Sequence, residues 1–377
     1  MNMSHIRVAA VGDIAFVGRL NTNTSLTPFE NVRSVFQNHD LVIGNLESAL
    51  TTIDQINFSK CSLQSNPTWA KNIKHSGINV LSLANNHIMD FGAQGLIDSL
   101  DKAGIMHVGA GIDSRQALQP LYLNLQNKKI AILARSEVEV KSQCYAEEDT
   151  PGVAKLELNE TLDMIGECKK VSDHVILSLH WGLEHYSYPS QSQRNTAMAL
   201  IHAGVDILIG HHPHVLQGID QESGGLVVYS LGNFIFDDFS WNYTDINGNK
   251  SEQKVSLNNE QRETAIVSAD LSHSGCSRYD VIPVYIQSNS EIVFQKDKFR
   301  LKQLRRLNLP FRFPLYSLFW KLYAVKKEFY LRLLPQVSTN LKISKIKKIR
   351  MRHFVEIFKI IKRSASIANE KKTNPYD

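Results

Sequence analysis

The chain has 377 residues, 43% of them hydrophobic, with 20 Gly and 11 Pro, a composition that excludes a disordered or collagen-like chain and supplies core for one large domain or two ordinary ones. Its formal net charge of +5 averages two unlike regions: residues 301–377 hold 19 Lys and Arg against four acids, net +15, which leaves −10 for residues 1–300. Cys61, Cys144, Cys168 and Cys276 lie far apart with no CxxC, so neither a zinc knuckle, a redox dithiol nor a disulfide framework is indicated.

At the amino end, Asp13 interrupts the only apolar run before it reaches the length of a signal-peptide core. No stretch of about 18 uncharged apolar residues occurs elsewhere. The expectation is a chain without cleaved signal or ordinary transmembrane helix, cytoplasmic or peripheral on the inner face of the membrane.

Short apolar runs at 6–11, 41–43, 80–83, 130–133, 175–179, 205–209 and 226–231 alternate with helical segments at 67–75, 95–103, 159–171 and 191–203. That alternation predicts βαβ units and a mostly parallel sheet. Residues 237–262 are polar and rich in Asp, Asn and Ser, a surface excursion, after which 265–271 and 281–286 resume as strands of a second sheet. From residue 299 the composition turns basic and aromatic.

The residues just past each apolar run carry the chemistry. Val11 is followed by Gly12-Asp13, Ile43 by Gly44-Asn45-Leu46-Glu47, Leu83 by Ala84-Asn85-Asn86-His87, Leu179 by His180-Trp181-Gly182, and Ile209 by Gly210-His211-His212-Pro213-His214. In open α/β sheets ligands bind at the carboxyl ends of the strands. Five strand ends thus deliver acids, amides and imidazoles to one edge, a donor set suited to Mn, Fe or Zn rather than to a thiolate site. Asp13, Glu47, Asn86, His180, His212 and His214 are six candidate ligands, more than one four-coordinate ion needs, and the reading is two divalent ions sharing a bridging carboxylate. Singly, each residue has a plainer explanation: Asp13 as a turn or cap residue, His180 as a core histidine. His185 and His202 are read as outside the ligand set.

The ordered motifs Gly12-Asp13, Asn45-Leu46-Glu47, Ala84 to Gly92 (ANNHxxDxG), His180 to Glu184 (HWGxE), Gly210 to Gly218 (GHHPHVLQG) and Tyr229 to Asp237 (YSLGNFIFD) resemble the bacterial capsule-synthesis CapA family, associated with poly-γ-glutamate capsule production and itself similar to calcineurin-like metallophosphoesterases. The resemblance covers about residues 5–290. It implies a metallophosphatase-like two-sheet α/β/β/α sandwich at 5–296, with a basic amphipathic helical extension at 300–377. It implies Asp13 on the first metal, Glu47 as the bridging carboxylate and Asn86 on the second metal, with His180, His212 and His214 completing the set and His211 as the alternative to His212. His87 matches the position that protonates a leaving group, and Asp90 is its candidate partner. Asn45, Glu184, His211 and Asn233 are candidates for lining the crevice. Two departures stand out: the phosphoesterase Asp-x-His is here Asp13-Ile14-Ala15, and the second-motif Gly-Asp is Asn45-Leu46-Glu47. The amino-terminal membrane anchor of many family members is not expected from residues 1–20.

The implied function is metal-dependent, hydrolase-like chemistry in making, processing or anchoring a cell-surface polymer, acting on an anionic polymer or its precursor within a polymer-synthesis complex. The alternative is a scaffold that binds without turnover. At 315–333, Leu315, Leu318, Leu322, Val325, Phe329 and Leu333 recur at helical spacing among aromatic and basic residues. Packing on its own domain competes with attachment of 315–363 to an anionic membrane surface; nucleic acid ranks last, since no binding module accompanies the charge.

Overall fold

In a computed structural model of the chain, the residues described are 5–54, 60–138, 144–245, 247–295, 307–308 and 315–333. The strands of the two main sheets are β1 (Ile6–Ile14), β2 (Leu41–Leu46), β3 (Val80–Ser82), β4 (Met106–Val108), β5 (Leu121–Leu125), β6 (Lys128–Ser136), β7 (His174–His180), β8 (Ile207–His211), β9 (Ile219–Glu222), β10 (Gly225–Val228), β11 (Asn233–Ile235), β12 (Glu263–Ser272), β13 (Gly275–Ile286) and β14 (Ile292–Phe294). The larger sheet runs β14-β13-β12-β1-β2-β3-β4, with β11 paired to the far end of β1; the smaller runs β9-β10-β8-β7-β6-β5. Strands β1 to β4 are parallel, as are β6, β7, β8 and β10. Both parallel sets therefore end on the same kind of edge, where polar residues gather.

Alternating residues of each strand explain the layering. Ile6, Val8 and Ala10 of β1 meet Ile130, Ile132, Ile176 and Ile209 of the smaller sheet, so the central core lies between the sheets. Ala9, Val11, Val42 and Leu81 face the opposite way, against Trp69 and Ile73 of α1 (Trp69–Ser76) and Leu96 of α2 (Gly92–Ala103). On the outer face of the smaller sheet, Leu133, Val175, Leu177 and Leu208 pack on α3 (Leu158–Val171) and α4 (Gln191–His202). The result is an α/β/β/α sandwich, and burial on both faces is why its parallel strands read as continuous apolar runs.

Local signals set the ends. A capping box between Ser190 and Gln193 starts α4, and Gly77, at φ 102°, ends α1 in the left-handed conformation.

One expectation is corrected and two others gain detail. Segments 265–271 and 281–286 do not begin a second sheet: β12 pairs antiparallel with β1, Ile6 opposite Leu271, and extends the first sheet, while the second is built from 121–228. The excursion at 237–262 contains a hairpin, Phe239–Thr244 with Lys250–Val255, and a short helix, Asn259–Arg262, closed by a capping box from Asn258 to Gln261. In α5 (Tyr316–Leu333) the aliphatic stripe is not the face that docks. Tyr316, Trp320 and Ala324 pack with Phe319 and Tyr323 on Tyr186 and Tyr188, whereas Leu315, Leu318 and Leu322 are 68%, 52% and 66% exposed. The aromatic rings have polar tips that find partners in the facing loop, which the leucines lack. Residues 334–363, the rest of the predicted membrane segment, lie outside the described residues.

No described helix is long and apolar enough to cross a membrane.

Candidate metal centre

The crevice begins with an irregularity in β1. The β1/β2 register shifts between Ala10 and Asp13, a bulge of the kind that re-aims a side chain at a sheet end. Asp13 N–H then donates to Gly232 O at 2.9 Å. This approach requires Gly12, because a Cβ there would lie 2.0 Å from Gly232 O. The Asp13 carboxylate is fully buried: its Oδ1 accepts from Asn45 Nδ2 at 2.9 Å and lies 3.0 Å from His211 Nδ1, and its Oδ2 accepts the His212 N–H at 3.3 Å. Burial alone would raise this carboxyl, but the His211 bond, the neighbouring His211 and His214 charges and the Asn45 amide outweigh it, and Asp13 lies below the usual carboxylate range.

Glu47 follows β2, its backbone N–H held by Ile14 O at 2.8 Å. It is the opposite case. Both carboxylate oxygens are buried without a hydrogen-bond partner, and burial, then the charges of Asp13, Glu184 and Asp90, push its carboxyl well above the ordinary range. His180 Nε2 lies 3.3 Å away and His214 Nε2 3.8 Å away. Buried beside other imidazoles, His180 is driven well below its normal range and is neutral; burial outweighs the Glu184 charge and takes His212 to about 4.

His180 sits where the two sheets face each other. Its Nε2 is 2.7 Å from Asn86 Oδ1, its Nδ1 3.5 Å from Asn45 Nδ2, and its ring lies 4.8 Å from that of His212. The histidine turn holds two residues in the left-handed region, His212 at φ 93° and His214 at φ 56°, a local strain of about 1–3 kcal/mol each that the surrounding structure sustains. His214 Nδ1 is fixed 2.8 Å from Asn233 Oδ1, leaving Nε2 toward Glu47.

These placements yield three overlapping donor groups among the described residues, each with its ligand atoms within 4.8 Å of one another: Glu47, His180 and His212; Asp13, Glu47 and His214; and Glu184, His212 and His214. Glu47 is common to two of them. The fit to a divalent cation rests on that residue, since both of its buried oxygens lack a partner beside the neutral His180 and His212 and offer lone pairs that a cation would satisfy. His212 belongs to these groups; His211 stands behind them, on Asp13. Asn86 joins through His180.

His87 and Asp90 are brought together: Nδ1 is 2.8 Å from Asp90 Oδ2. The same oxygen accepts from Leu63 N at 2.7 Å, and Lys60 Nζ pairs with Asp90 Oδ1. An ionised carboxylate only accepts, so Nδ1 carries the proton and Nε2 is the nitrogen free to exchange one. Glu184 stands at the mouth with 53% of its side chain exposed; burial would raise it, but the charges of His214, His212, His185 and His87 hold it below the ordinary range.

Sequence reasoning missed two contributors, Asn85 and Lys60, while His185 flanks the site as read. Asn85 is the knot of the crevice: Nδ2 donates to Asn45 Oδ1 and Leu46 O, and Oδ1 accepts from His87 N and Ile88 N. The last two are an Asx turn, and Asn-Asn after a strand was its signal. Lys60 lies in a segment with no motif. His185, set outside the ligands, donates its N–H to Pro213 O at 2.7 Å, and its ring meets Gln261.

The model of the bacterial capsule synthesis protein PGA_cap family matches residues 7–238. The chain is similar to the PGA biosynthesis protein CapA of Bacillus subtilis, 34% identical over 286 residues, 74% of this chain and 70% of that one. It is similar to the capsule biosynthesis protein CapA of Bacillus anthracis, 32% identical over 273 residues, 70% of this chain and 62% of that one. Among solved structures, the NAD nucleotidase of Haemophilus influenzae superposes with a TM-score of 0.43 at 13% identity, over 82% of this chain and 56% of that one.

Proposed function

The chain belongs to the bacterial capsule synthesis protein PGA_cap family, and from that premise we propose that its crevice is a divalent-metal hydrolase site acting on an anionic cell-surface polymer or its precursor. The two Bacillus relatives, named for PGA and capsule biosynthesis, make a polyglutamate the first candidate. The observation that carries the reading is Glu47, buried with both oxygens unpartnered beside His180 and His214.

Asp13, Glu47, Asn86, His180, His212 and His214 would hold the metal, two ions with Glu47 between them. Divalent ions in such a set polarise a phosphoryl or carbonyl centre and lower the pKa of water. The protein's own part is positioning and proton transfer. Asp90, fixed by Leu63 N–H and Lys60, orients the His87 ring through Nδ1, leaving Nε2 as the nitrogen through which a proton can pass to a departing oxygen or nitrogen. Asp13 and Glu47 are themselves fully buried.

Metal analysis of the purified chain, with a panel of phosphoester and γ-glutamyl substrates, tests this. Turnover should require added Mn²⁺ or Zn²⁺, and His87→Ala should lower it by about 10²–10⁴-fold while metal content stays constant. No bound metal and no turnover would sink the enzyme; a scaffold would keep its cellular function with His87→Ala.

For the partner surface, the exposed ridge of Leu315, Leu318 and Leu322 and the net +15 of residues 301–377 support peripheral attachment to anionic lipid.

A further inference from the structure

The loop 181–190 joins β7, which ends at His180, to α4, and it carries Glu184, whose carboxylate groups with His212 and His214. On its inner side it is tied to the histidine turn. His185 N–H donates to Pro213 O at 2.7 Å, and Gln217 Nε2 donates to Tyr186 O at 2.7 Å. On its outer side the partner is α5, which lies beyond the residues the family model matches.

That second contact is polar and directional rather than only apolar. Ser187 N–H donates to Tyr323 Oη at 2.7 Å, Tyr186 Oη donates to Glu328 Oε1 at 2.8 Å, Tyr316 Oη donates to Pro189 O at 2.7 Å, and Trp320 Nε1 donates to Tyr188 O at 3.3 Å. Backbone groups at three consecutive positions, 187 to 189, thus find partners on α5. Rings fix the same register: Tyr188 meets Tyr323 edge-on at 4.8 Å and Phe319 at 5.1 Å, and Tyr186 meets Tyr323 at 5.8 Å. A backbone group removed from water needs a partner, so the docked α5 helps to fix where the 187–189 stretch of the loop lies.

We infer that α5 is a positioning element of the crevice, and that the Tyr323 hydroxyl, through Ser187, sets where Glu184 stands relative to His212 and His214. The inference rests on reading the crevice as a cation site. A helix that merely covered apolar surface would need the rings but not the hydroxyl.

Tyr323→Phe in the full-length chain separates these, because it removes only the oxygen. Amide hydrogen exchange across 183–188 should accelerate, and Mn²⁺ should bind on the order of tenfold more weakly, with an altered electron paramagnetic resonance line shape. Leu318→Ala, on the outward face, should change neither. Unchanged Mn²⁺ affinity and spectrum in Tyr323→Phe would overturn the inference. Should the unaltered chain bind no Mn²⁺, the cation reading itself fails, and the ring resonances of His212 and His214 decide: a shift on Tyr323→Phe sustains the positioning role and identical spectra refute it.

Discussion

Glu47 Oε1 stands 3.3 Å from His180 Nε2 in the floor of the crevice, and neither oxygen of that carboxylate accepts a hydrogen bond. A cation at this point would convert a cost into a bond. Adding Mn²⁺ or Zn²⁺ to chelator-treated protein should therefore raise the melting temperature, with about 2.7 kcal/mol of stabilisation at a hundred times Kd. Glu47→Gln should lose most of that gain while leaving the metal-free protein as stable as before or more so. Equal metal-induced shifts in both proteins would contradict the assignment.

Histidine burial has its own signature in pH. His212 titrates at about 4 when folded and near 6.5 when unfolded, so between these values the unfolded chain binds more protons and stability rises with pH. In metal-free protein the stability from His212 is fully present above pH 6.5 and is lost as the pH falls toward 4. The loss is roughly 3 kcal/mol for this residue, and His180 adds to it in the same direction. Urea midpoints measured from pH 7.5 to 4.5 should fall more steeply for the unaltered chain than for His212→Asn; parallel curves would be inconsistent with a neutral buried imidazole.

Gly12→Ala tests how the first ligand is aimed. The added Cβ would meet Gly232 O, a backbone atom, at 2.0 Å, which only separation of β1 from 231–233 can relieve. A stability loss of about 1–3 kcal/mol is expected, together with weaker Mn²⁺ binding because both Asp13 and Asn233 move. A Gly12→Ala protein with unaltered urea midpoint and Mn²⁺ affinity would show that the close approach is dispensable.

The leucine ridge on α5 predicts a surface property. The chain should bind vesicles containing anionic lipid, and binding should weaken as salt screens the basic residues, each contributing on the order of 1 kcal/mol. Leu318→Glu with Leu322→Glu should reduce the affinity without changing the melting temperature. Retention of full binding by that variant would assign the attachment elsewhere.

Much of the fold was legible because its central parallel strands are covered on both faces: β7 is buried at every position, so Val175 to Leu179 reads as a mostly apolar run that ends on His180. That is why His180 and Asp13 could be read. The edge strand β5, with half-exposed and exposed residues alternating, gave no such run. Lys60 escaped because its partner Asp90 is thirty positions away and nothing local marks a lysine as paired. The docking face of α5 escaped for a related reason. Helical spacing identifies an apolar stripe, but which stripe is buried depends on Tyr186 and Tyr188, distant in sequence, whose rings complement tyrosines better than leucines.

The placement of β1 bears on how the chain is made. Ile6 pairs with Leu271 and Asp13 with Asn233, so β1 is synthesised more than 200 residues before the strands that flank it on one side. Until residue 271 is synthesised, one long edge of β1 has no neighbour, and contacts this distant in sequence form slowly. The nascent chain therefore carries an open edge of β1 until those strands are made, a stage at which aggregation competes with folding. Fragments ending before Asn233 would contain every metal-ligand candidate yet lack the strands that hold Asp13 in place.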